Sequence, residues 1–323
     1  MKNIKNIVFF GTHELAHPAL ETLDGLGLEP KLIVTRPRVG LEPNPLARRP
    51  QEPPPHLVKR WAKERDIPLV ISRRAAQQEL HEKIQALAPD LLVVVDYGRP
   101  LPTKVIEMAA RGALEVHPSL LPKLRGAHAI RAALGQGLRK TGVTSLMLEE
   151  EPWGGGILLS EEVEIGEEET FGELLARLTE LSCTMLGDSL TKVDKAKKPK
   201  TRKQNPKAAT KTPHITARHR RAPWQLSADE VYNRWRAHAP PGMTTSVRFQ
   251  SLEIVRGRAL PKSNAPFGET GTYLGVRSGK LAILCGQQTV FGIEEVRLPD
   301  EETGTSASEA AEVLGLRVGE QFI

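Results

Sequence analysis

The sequence is poor in cysteine, and its two cysteines lie far apart. Cys183 and Cys285 are the only ones among 323 residues. This scarcity excludes a disulfide-rich secreted scaffold, and neither cysteine stands at the spacing of a zinc motif. The nine histidines do not cluster with cysteines or acids either. We therefore predict reduced thiols and no metal site.

Long hydrophobic runs are also missing. The longest, Leu91–Val95 and Ile7–Phe10, are far too short to span a bilayer. Lys2 and Lys5 precede too few apolar residues for the core of a signal peptide. A hydrophobic content of 39% with 26% charged residues is typical of globular proteins. We predict a cytoplasmic protein with no membrane segment, and we expect a monomer.

Positive charge is concentrated in one stretch of the chain. The net charge is +6, yet residues 191–221 carry twelve Lys/Arg and one acid, so the rest of the chain is mildly acidic. The stretch lacks hydrophobic periodicity and contains Pro199, Pro206 and Pro213. This pattern predicts an interdomain linker. A concentrated cationic segment favours a polyanionic partner, although a merely solvated linker has the same composition.

The first 190 residues alternate short apolar runs with helical patterns. We predict strands at 6–10, 31–35, 68–71, 91–95, 113–117, 143–148 and 157–163. We predict helices at 14–26, 55–65, 79–87, 105–110, 127–134 and 169–190. Such alternation is typical of a doubly wound α/β domain with a mostly parallel sheet.

The last third of the chain has a different pattern. After the linker, a helix is predicted at 228–237, and strands at 244–249, 253–259, 271–277, 280–285 and 289–296. Five short strands joined by glycine- and proline-containing turns indicate a small OB-like β-barrel. The predicted domains are therefore residues 1–190 and 222–323, joined by the basic linker 191–221.

One stretch is far more specific than the others. Residues 117–126 read HPSLLPKLRG, and they follow the strand residues Leu114-Glu115-Val116. This stretch resembles the signature of folate-dependent formyltransferases, in which a strand delivers Asn-x-His before a Ser-Leu-Leu-Pro turn and Arg-Gly. Further matches follow in order: residues 11–16 (GTHELA), 94–98 (VVDYG) with Leu101-Pro102, and 141–144 (TGVT). Residues 307–316 and 319–320 resemble the end of the methionyl-tRNA formyltransferase branch.

The resemblance implies a formyl donor, an acceptor and a set of binding residues. The donor would be 10-formyltetrahydrofolate and the acceptor the amino group of initiator methionyl-tRNA. The implied folate-binding residues are Ser119, Leu120, Leu121, Pro122, Tyr97 and Gly98. The loop 36–50 lies where that branch has a basic loop that enters the acceptor stem. With the linker lysines, the implied tRNA-binding residues are Arg36, Arg38, Arg48, Arg49, Lys195, Lys197, Lys198 and Lys200.

The implied catalytic residues depart from the family at two of three positions. The family uses an Asn to stabilise the oxyanion, a His for proton transfer and an Asp to orient the His. His117 matches the His, but Glu115 stands at the Asn position and Trp153 at the Asp position. An ionised glutamate only accepts hydrogen bonds and would repel an oxyanion. A protonated Glu115 could donate, and Glu150 or Glu151 could replace the missing acid.

Three functions remain open from the sequence. The leading hypothesis is a methionyl-tRNA formyltransferase homologue with altered chemistry. The second is a paralogue that binds tRNA without catalysis. The third is a different enzyme on the same scaffold that uses Glu115 and His117 as an acid–base pair, since residues two apart on a strand face the same side.

Overall fold

The first half of the chain forms a seven-stranded sheet covered by helices on both faces. A computed structural model describes residues 1–37, 56–73, 77–213, 215–261, 266–299, 301 and 303–323. The strands are β1 (Ile7–Gly11), β2 (Leu32–Thr35), β3 (Leu69–Ile71), β4 (Leu91–Val95), β5 (Ala113–His117), β6 (Lys140–Met147) and β7 (Gly156–Glu164). The helices are α1 (Ala16–Gly25), α2 (Leu57–Glu64), α3 (Gln78–Leu87), α4 (Thr103–Ile106), α5 (Ala129–Gly135) and α6 (Phe171–Lys195).

The strand order is β3-β2-β1-β4-β5-β6-β7. The pairs from β3 to β5 are parallel, and β6 and β7 are antiparallel. The predicted fold class is therefore confirmed. The chain runs outward in opposite directions from β1 and β4, so a crevice forms between the carboxyl ends of these two strands.

Helix α6 is longer than the sequence predicted, because it continues five residues past Leu190 to Lys195. Val193 is buried and extends the apolar face of the helix. Asp194 accepts hydrogen bonds from the backbone N–H groups of Lys2, Asn3 and Ile4. The first residues of the predicted linker are thus part of the α/β domain.

The C-terminal region is an antiparallel barrel. Helix α7 (Ala228–His238) precedes β8 (Met243–Val247), β9 (Gln250–Ala259), β10 (Tyr273–Arg277), β11 (Lys280–Cys285), β12 (Thr289–Arg297), β13 (Thr305–Ser306) and α8 (Ala307–Val313). The sheet order is β10-β11-β12-β9-β8, with β13 on β12. The chain end closes the gap between the two outer strands: Tyr273 N donates to Glu320 O, and Ile323 N donates to Ser246 O, each at 2.8 Å.

The stretch between the domains is bound to the first domain rather than free. Arg202 exchanges two backbone hydrogen bonds with Ile157 at the start of β7, each 2.8 Å long. Further along, Arg125 N donates to Thr210 O and Thr212 N donates to Arg125 O. A side chain at Gly126 would overlap Thr212, so the signature turn needs a glycine where the linker passes. The domain boundaries themselves stay a prediction.

Among the described residues, no helix is both long and apolar enough to cross a membrane. In the same part of the chain, no group of three or more His, Cys, Asp or Glu side chains is placed to hold a metal ion.

Candidate active site

A narrow cleft lies at the carboxyl ends of β4 and β5, where α/β sheets of this type bind ligands. Its volume is about 20 Å³, room for about one water molecule. The cleft is lined by Val94, Asp96, Tyr97, Gly98, Arg99, Glu115, Val116, His117, Pro118, Gly126, Ala127 and Trp153. The structure thus brings together the three side chains that the sequence singled out for chemistry.

Glu115, His117 and Trp153 meet at one carboxylate oxygen. The indole Nε1 of Trp153 donates to Glu115 Oε1 at 2.9 Å. Nδ1 of His117 lies 3.6 Å from the same oxygen. The rings of His117 and Trp153 are tilted at 47°, with centroids 6.3 Å apart. Glu115 is therefore a hydrogen-bond acceptor between two nitrogen-bearing rings.

The other nitrogen of His117 fixes the orientation of the imidazole. Nε2 lies 3.1 Å from the carbonyl oxygen of Leu124, within the signature turn. A carbonyl only accepts, so Nε2 carries the proton of this hydrogen bond. Nδ1 is left facing Glu115, and the side chain is almost fully buried. The imidazole is held between a carbonyl and a carboxylate.

This arrangement differs chemically from an oxyanion hole. Stabilising a developing oxyanion needs hydrogen-bond donors directed at it. Glu115 accepts, and the single N–H of Trp153 is used on Glu115. The three side chains suit holding or moving a proton between Glu115 and His117. As arranged, they present no donor of their own to a formyl oxygen.

Hydrogen bonds with the signature turn and with the linker hold the loop that carries Trp153. Arg125 is buried and donates to Glu151 Oε1 at 2.6 Å and to Gln204 Oε1 at 2.9 Å. Gln204 Nε2 in turn donates to the carbonyls of Trp153 and Gly155, both at 2.8 Å. A side chain at Gly155 would overlap the carbonyl of Met147. The loop of Trp153 is thus held in place by two separate segments, the signature turn and the linker.

Trp153 itself has a left-handed backbone conformation, with φ at 56°. Its side chain packs against the buried cluster of Leu121, Leu146 and Ile157. Non-glycine residues at positive φ cost about 1–3 kcal/mol and persist where the surroundings impose them. The position of the indole is therefore determined by packing and hydrogen bonding, not by backbone preference.

Asp96 is a second carboxyl group in the cleft, and it was not predicted as a site residue. Oδ2 accepts from Leu15 N at 3.1 Å. Burial raises the pKa of Asp96 above its ordinary value, and the nearby Glu14 acts in the same direction. Positive charge on His13 and the Leu15 hydrogen bond lower the pKa and offset part of this rise. The sequence does contain a signal for this residue, because Asp96 is a carboxyl residue directly after a buried strand of a parallel sheet.

Comparison with known proteins identifies the family. The formyl transferase family model matches residues 5–190, and the model of the formyl transferase C-terminal domain matches residues 214–311. The chain belongs to the formyltransferase family. It is 33% identical over 293 residues to a methionyl-tRNA formyltransferase of Anaeromyxobacter sp. (strain K), covering 90% of this chain and 92% of that protein. The identity to the methionyl-tRNA formyltransferase of Bacillus cytotoxicus is 30% over 319 residues, 97% of this chain and 98% of that protein.

Solved structures share the fold of this chain. HypX from Aquifex aeolicus in complex with tetrahydrofolic acid has a TM-score of 0.57 at 16% identity, covering 97% of this chain and 47% of HypX. An N-formyltransferase from Helicobacter canadensis, in complex with folinic acid and dTDP-3-aminofucose, has a TM-score of 0.61 at 15% identity, covering 90% and 98%. The family models and the methionyl-tRNA formyltransferase relatives confirm the predicted family, which uses folate-derived formyl donors.

The predicted folate-binding residues of this formyltransferase homologue separate into two groups. Tyr97 and Gly98 line the cleft, and the Tyr97 ring packs edge-on against Phe10 at 5.3 Å. Residues 119–122 instead form a turn beside it, in which the Ser119 hydroxyl donates to the carbonyl of Lys123 at 2.8 Å. Leu121 packs against Trp153. Folate binding by either group stays a prediction.

Glu150 and Glu151 were considered as substitutes for the missing acid. Glu151 is engaged by Arg125, and Glu150 is exposed on the same loop. Each of these two carboxylates would have to leave its present position before it could orient His117.

The predicted tRNA-binding residues are only partly described. Arg36 follows β2 at the edge of the cleft, whereas Arg38, Arg48 and Arg49 lie outside the described residues. Lys195, Lys197, Lys198 and Lys200 are exposed at and after the end of α6. A few residues later, Gln204 contacts the Trp153 loop. The lysines thus directly precede a segment that touches the candidate active site.

Proposed function

We propose that the protein is a methionyl-tRNA formyltransferase homologue that binds charged initiator tRNA, and whose formyl transfer from 10-formyltetrahydrofolate is slow. The observation that carries the second part is the 2.9 Å hydrogen bond from Trp153 to Glu115. It occupies the donor that could otherwise approach an oxyanion, and it fixes Glu115 as an acceptor.

The position of Trp153 supports the same proposal. The indole lies in the cleft that Glu115 and His117 line, and it packs against Leu121, Leu146 and Ile157. A ligand that took the place of the indole would have to break these contacts and the hydrogen bond to Glu115.

Binding of tRNA is supported by charge and by relatives. Methionyl-tRNA formyltransferases match nearly the whole length of the chain, including the C-terminal region. The linker lysines are exposed and form a local cationic surface. Such a surface gains affinity from the release of counterions when it contacts phosphates.

A paralogue that binds tRNA without any formyl transfer is the second candidate. It is favoured by the same Trp153–Glu115 hydrogen bond. The hydrogen bonds of Arg125 and Gln204, which keep the Trp153 loop in place, favour it as well. The two candidates share tRNA binding and differ in whether a measurable rate of transfer remains.

Two measurements test the proposal. A single-turnover formyl-transfer assay with charged initiator tRNA is expected to give a rate well below the ordinary enzyme range of roughly 1–10³ s⁻¹, and no detectable transfer identifies the paralogue. Binding of the same tRNA is measured separately against salt. Replacing Lys195, Lys197, Lys198 and Lys200 with Ala should weaken binding and flatten the salt dependence. An unchanged salt dependence would show that the linker lysines do not contact the tRNA.

A further inference from the structure

The linker residue Thr210 lies against the signature turn. Its backbone N–H donates to the carbonyl of Pro122 at 3.2 Å, and its hydroxyl accepts from Leu124 N at 2.9 Å. Its own carbonyl accepts from Arg125 N at 2.8 Å. All three polar groups of Thr210 therefore form hydrogen bonds with residues 122–125.

One of these contacts continues to His117. The oxygen of the peptide unit between Leu124 and Arg125 accepts from His117 Nε2 at 3.1 Å. The nitrogen of the same peptide unit donates to the carbonyl of Thr210 at 2.8 Å. Hydrogen bonds that follow one another through a peptide unit polarise and strengthen each other. The orientation of the imidazole therefore depends on the linker through a single peptide unit.

The backbone of Leu124 depends on the hydroxyl of Thr210. Leu124 has φ at 57°, in the left-handed region that residues other than glycine adopt only where the surroundings impose it. Leu124 is also buried, and a buried N–H group without an acceptor is costly. Because the Thr210 hydroxyl accepts from this N–H, it stabilises the conformation that directs the Leu124 carbonyl towards His117.

A second linker residue holds the loop of Trp153. The amide nitrogen of Gln204 donates to the carbonyls of Trp153 and Gly155, both at 2.8 Å. Its amide oxygen accepts from Arg125 Nη2 at 2.9 Å. The linker thus connects the loop of Trp153 with the turn that orients His117.

We propose that Thr210 and Gln204 are positioning residues of the candidate active site, Thr210 for the imidazole of His117 and Gln204 for the loop of Trp153. The site is then complete only while residues 202–210 lie against the first domain. The proposal rests on the proposed function only for the choice of site, because positioning is measured without formyl transfer. The two can therefore fail independently.

The test is nuclear magnetic resonance of the full chain with isotope-labelled histidine and tryptophan side chains. The chain has nine histidines and four tryptophans. The signals of His117 and Trp153 are assigned as those that disappear in His117→Gln and in Trp153→Phe. The position of the imidazole proton is measured for His117, and the hydrogen-exchange rate of the indole N–H for Trp153.

The variants separate the polar contacts from the shape of the linker. Thr210→Val removes the hydroxyl and keeps the size of the side chain, whereas Thr210→Ser keeps the hydroxyl. Gln204→Met removes the amide. The control is Asn205→Ala, at an exposed position whose side chain accepts from Lys207 N within the linker. Thermal melting of each variant verifies that it is folded.

At a pH where the imidazole is neutral, we expect His117 of the wild type to carry its proton mainly on Nε2. Thr210→Val should lower the ratio of the Nε2–H to the Nδ1–H form by roughly two- to tenfold, the effect of losing one hydrogen bond, and Thr210→Ser should restore it. Gln204→Met should speed up exchange of the Trp153 indole N–H by roughly tenfold, while the other indole signals stay unchanged. Asn205→Ala should match the wild type in both measurements.

Three results would overturn the proposal. The first is a His117 proton ratio that Thr210→Val leaves unchanged or that Thr210→Ser does not restore. The second is an exchange rate of the Trp153 indole that is the same in Gln204→Met and in the wild type. The third is a change that Asn205→Ala shares, or that all imidazole and indole signals share, because it would show general loosening instead of positioning.

Discussion

The carboxylate at the centre of the barrel and the two carboxylates of the cleft have different hydrogen-bond partners. In the barrel, Glu253 is 1% exposed, and each of its oxygens accepts from a different guanidinium at 2.6 Å, Arg220 on Oε1 and Arg297 on Oε2. In the cleft, Glu115 accepts from a neutral indole, and Asp96 accepts one backbone N–H. A buried charge that is paired on both oxygens is costly to leave without its partners. One with weaker partners stays able to exchange a proton or a ligand.

The largest effect on stability is expected at Glu253. Glu253→Gln removes the charge that the buried guanidinium of Arg220 and the partly exposed guanidinium of Arg297 share, and such losses typically cost about 3–5 kcal/mol. Urea denaturation would show the loss as a lower free energy of unfolding. Glu150→Gln, at an exposed position, is the control and should change it by less than about 0.5 kcal/mol. Equal effects of the two substitutions would contradict the contrast between paired and exposed carboxylates.

The next effect concerns His238, the last residue of α7. It is buried, and desolvation followed by the charge of Arg131, Arg220 and Arg234 lowers its pKa from 6.5 to about 3. The unfolded chain therefore takes up a proton before the folded one as pH falls. Stability should decrease from about pH 6.5 down to about pH 3, by up to a few kcal/mol. His238→Gln should remove this part of the pH dependence of urea unfolding. An unaltered pH profile would mean that His238 is protonated in the folded state.

A smaller effect, of opposite sign, is expected at Asp96. Burial raises the pKa of Asp96 above its ordinary value. The folded protein therefore loses stability as pH rises above the ordinary range of a carboxyl group and Asp96 ionises. Asp96→Asn should therefore stabilise the protein at pH 7 by about 0.5–2 kcal/mol. Asp90→Asn is the matched comparison, because Asp90 accepts from the N–H groups of Lys5 and Asn6; it should not stabilise. A loss of stability in Asp96→Asn would show that its charge is compensated after all.

The sequence predicted the fold well because hydrophobic pattern sets the strands. The fully buried runs Leu91–Val95 and Ala113–His117 are strands as expected. The predicted end of α6 was five residues too early. Residues 191–195 were assigned to the linker because of its positive charge, although Val193 continues the apolar face of the helix. The prediction of an OB-like barrel was correct, but its closure by the chain end is a long-range pairing that local pattern does not indicate.

The sequence predicted which three residues form the candidate site, but not how their side chains contact one another. Strand periodicity placed Glu115 and His117 on one face, and the resemblance added Trp153. Nothing in the sequence showed that Trp153 would donate to Glu115, or that Gln204 would hold the loop from 51 residues away.

The most direct test of the account is formyl transfer by the double variant Glu115→Asn, Trp153→Asp. We expect a single-turnover rate with charged initiator tRNA at least about 10²-fold above wild type, since one oxyanion donor is worth roughly 10²–10³ in rate. Glu115→Asn alone should give little, because His117 would still lack an acid, so the two changes should be non-additive. A wild-type rate already in the range of roughly 1–10³ s⁻¹, or a double variant no faster than wild type, would contradict the claim that Glu115 and Trp153 limit the chemistry.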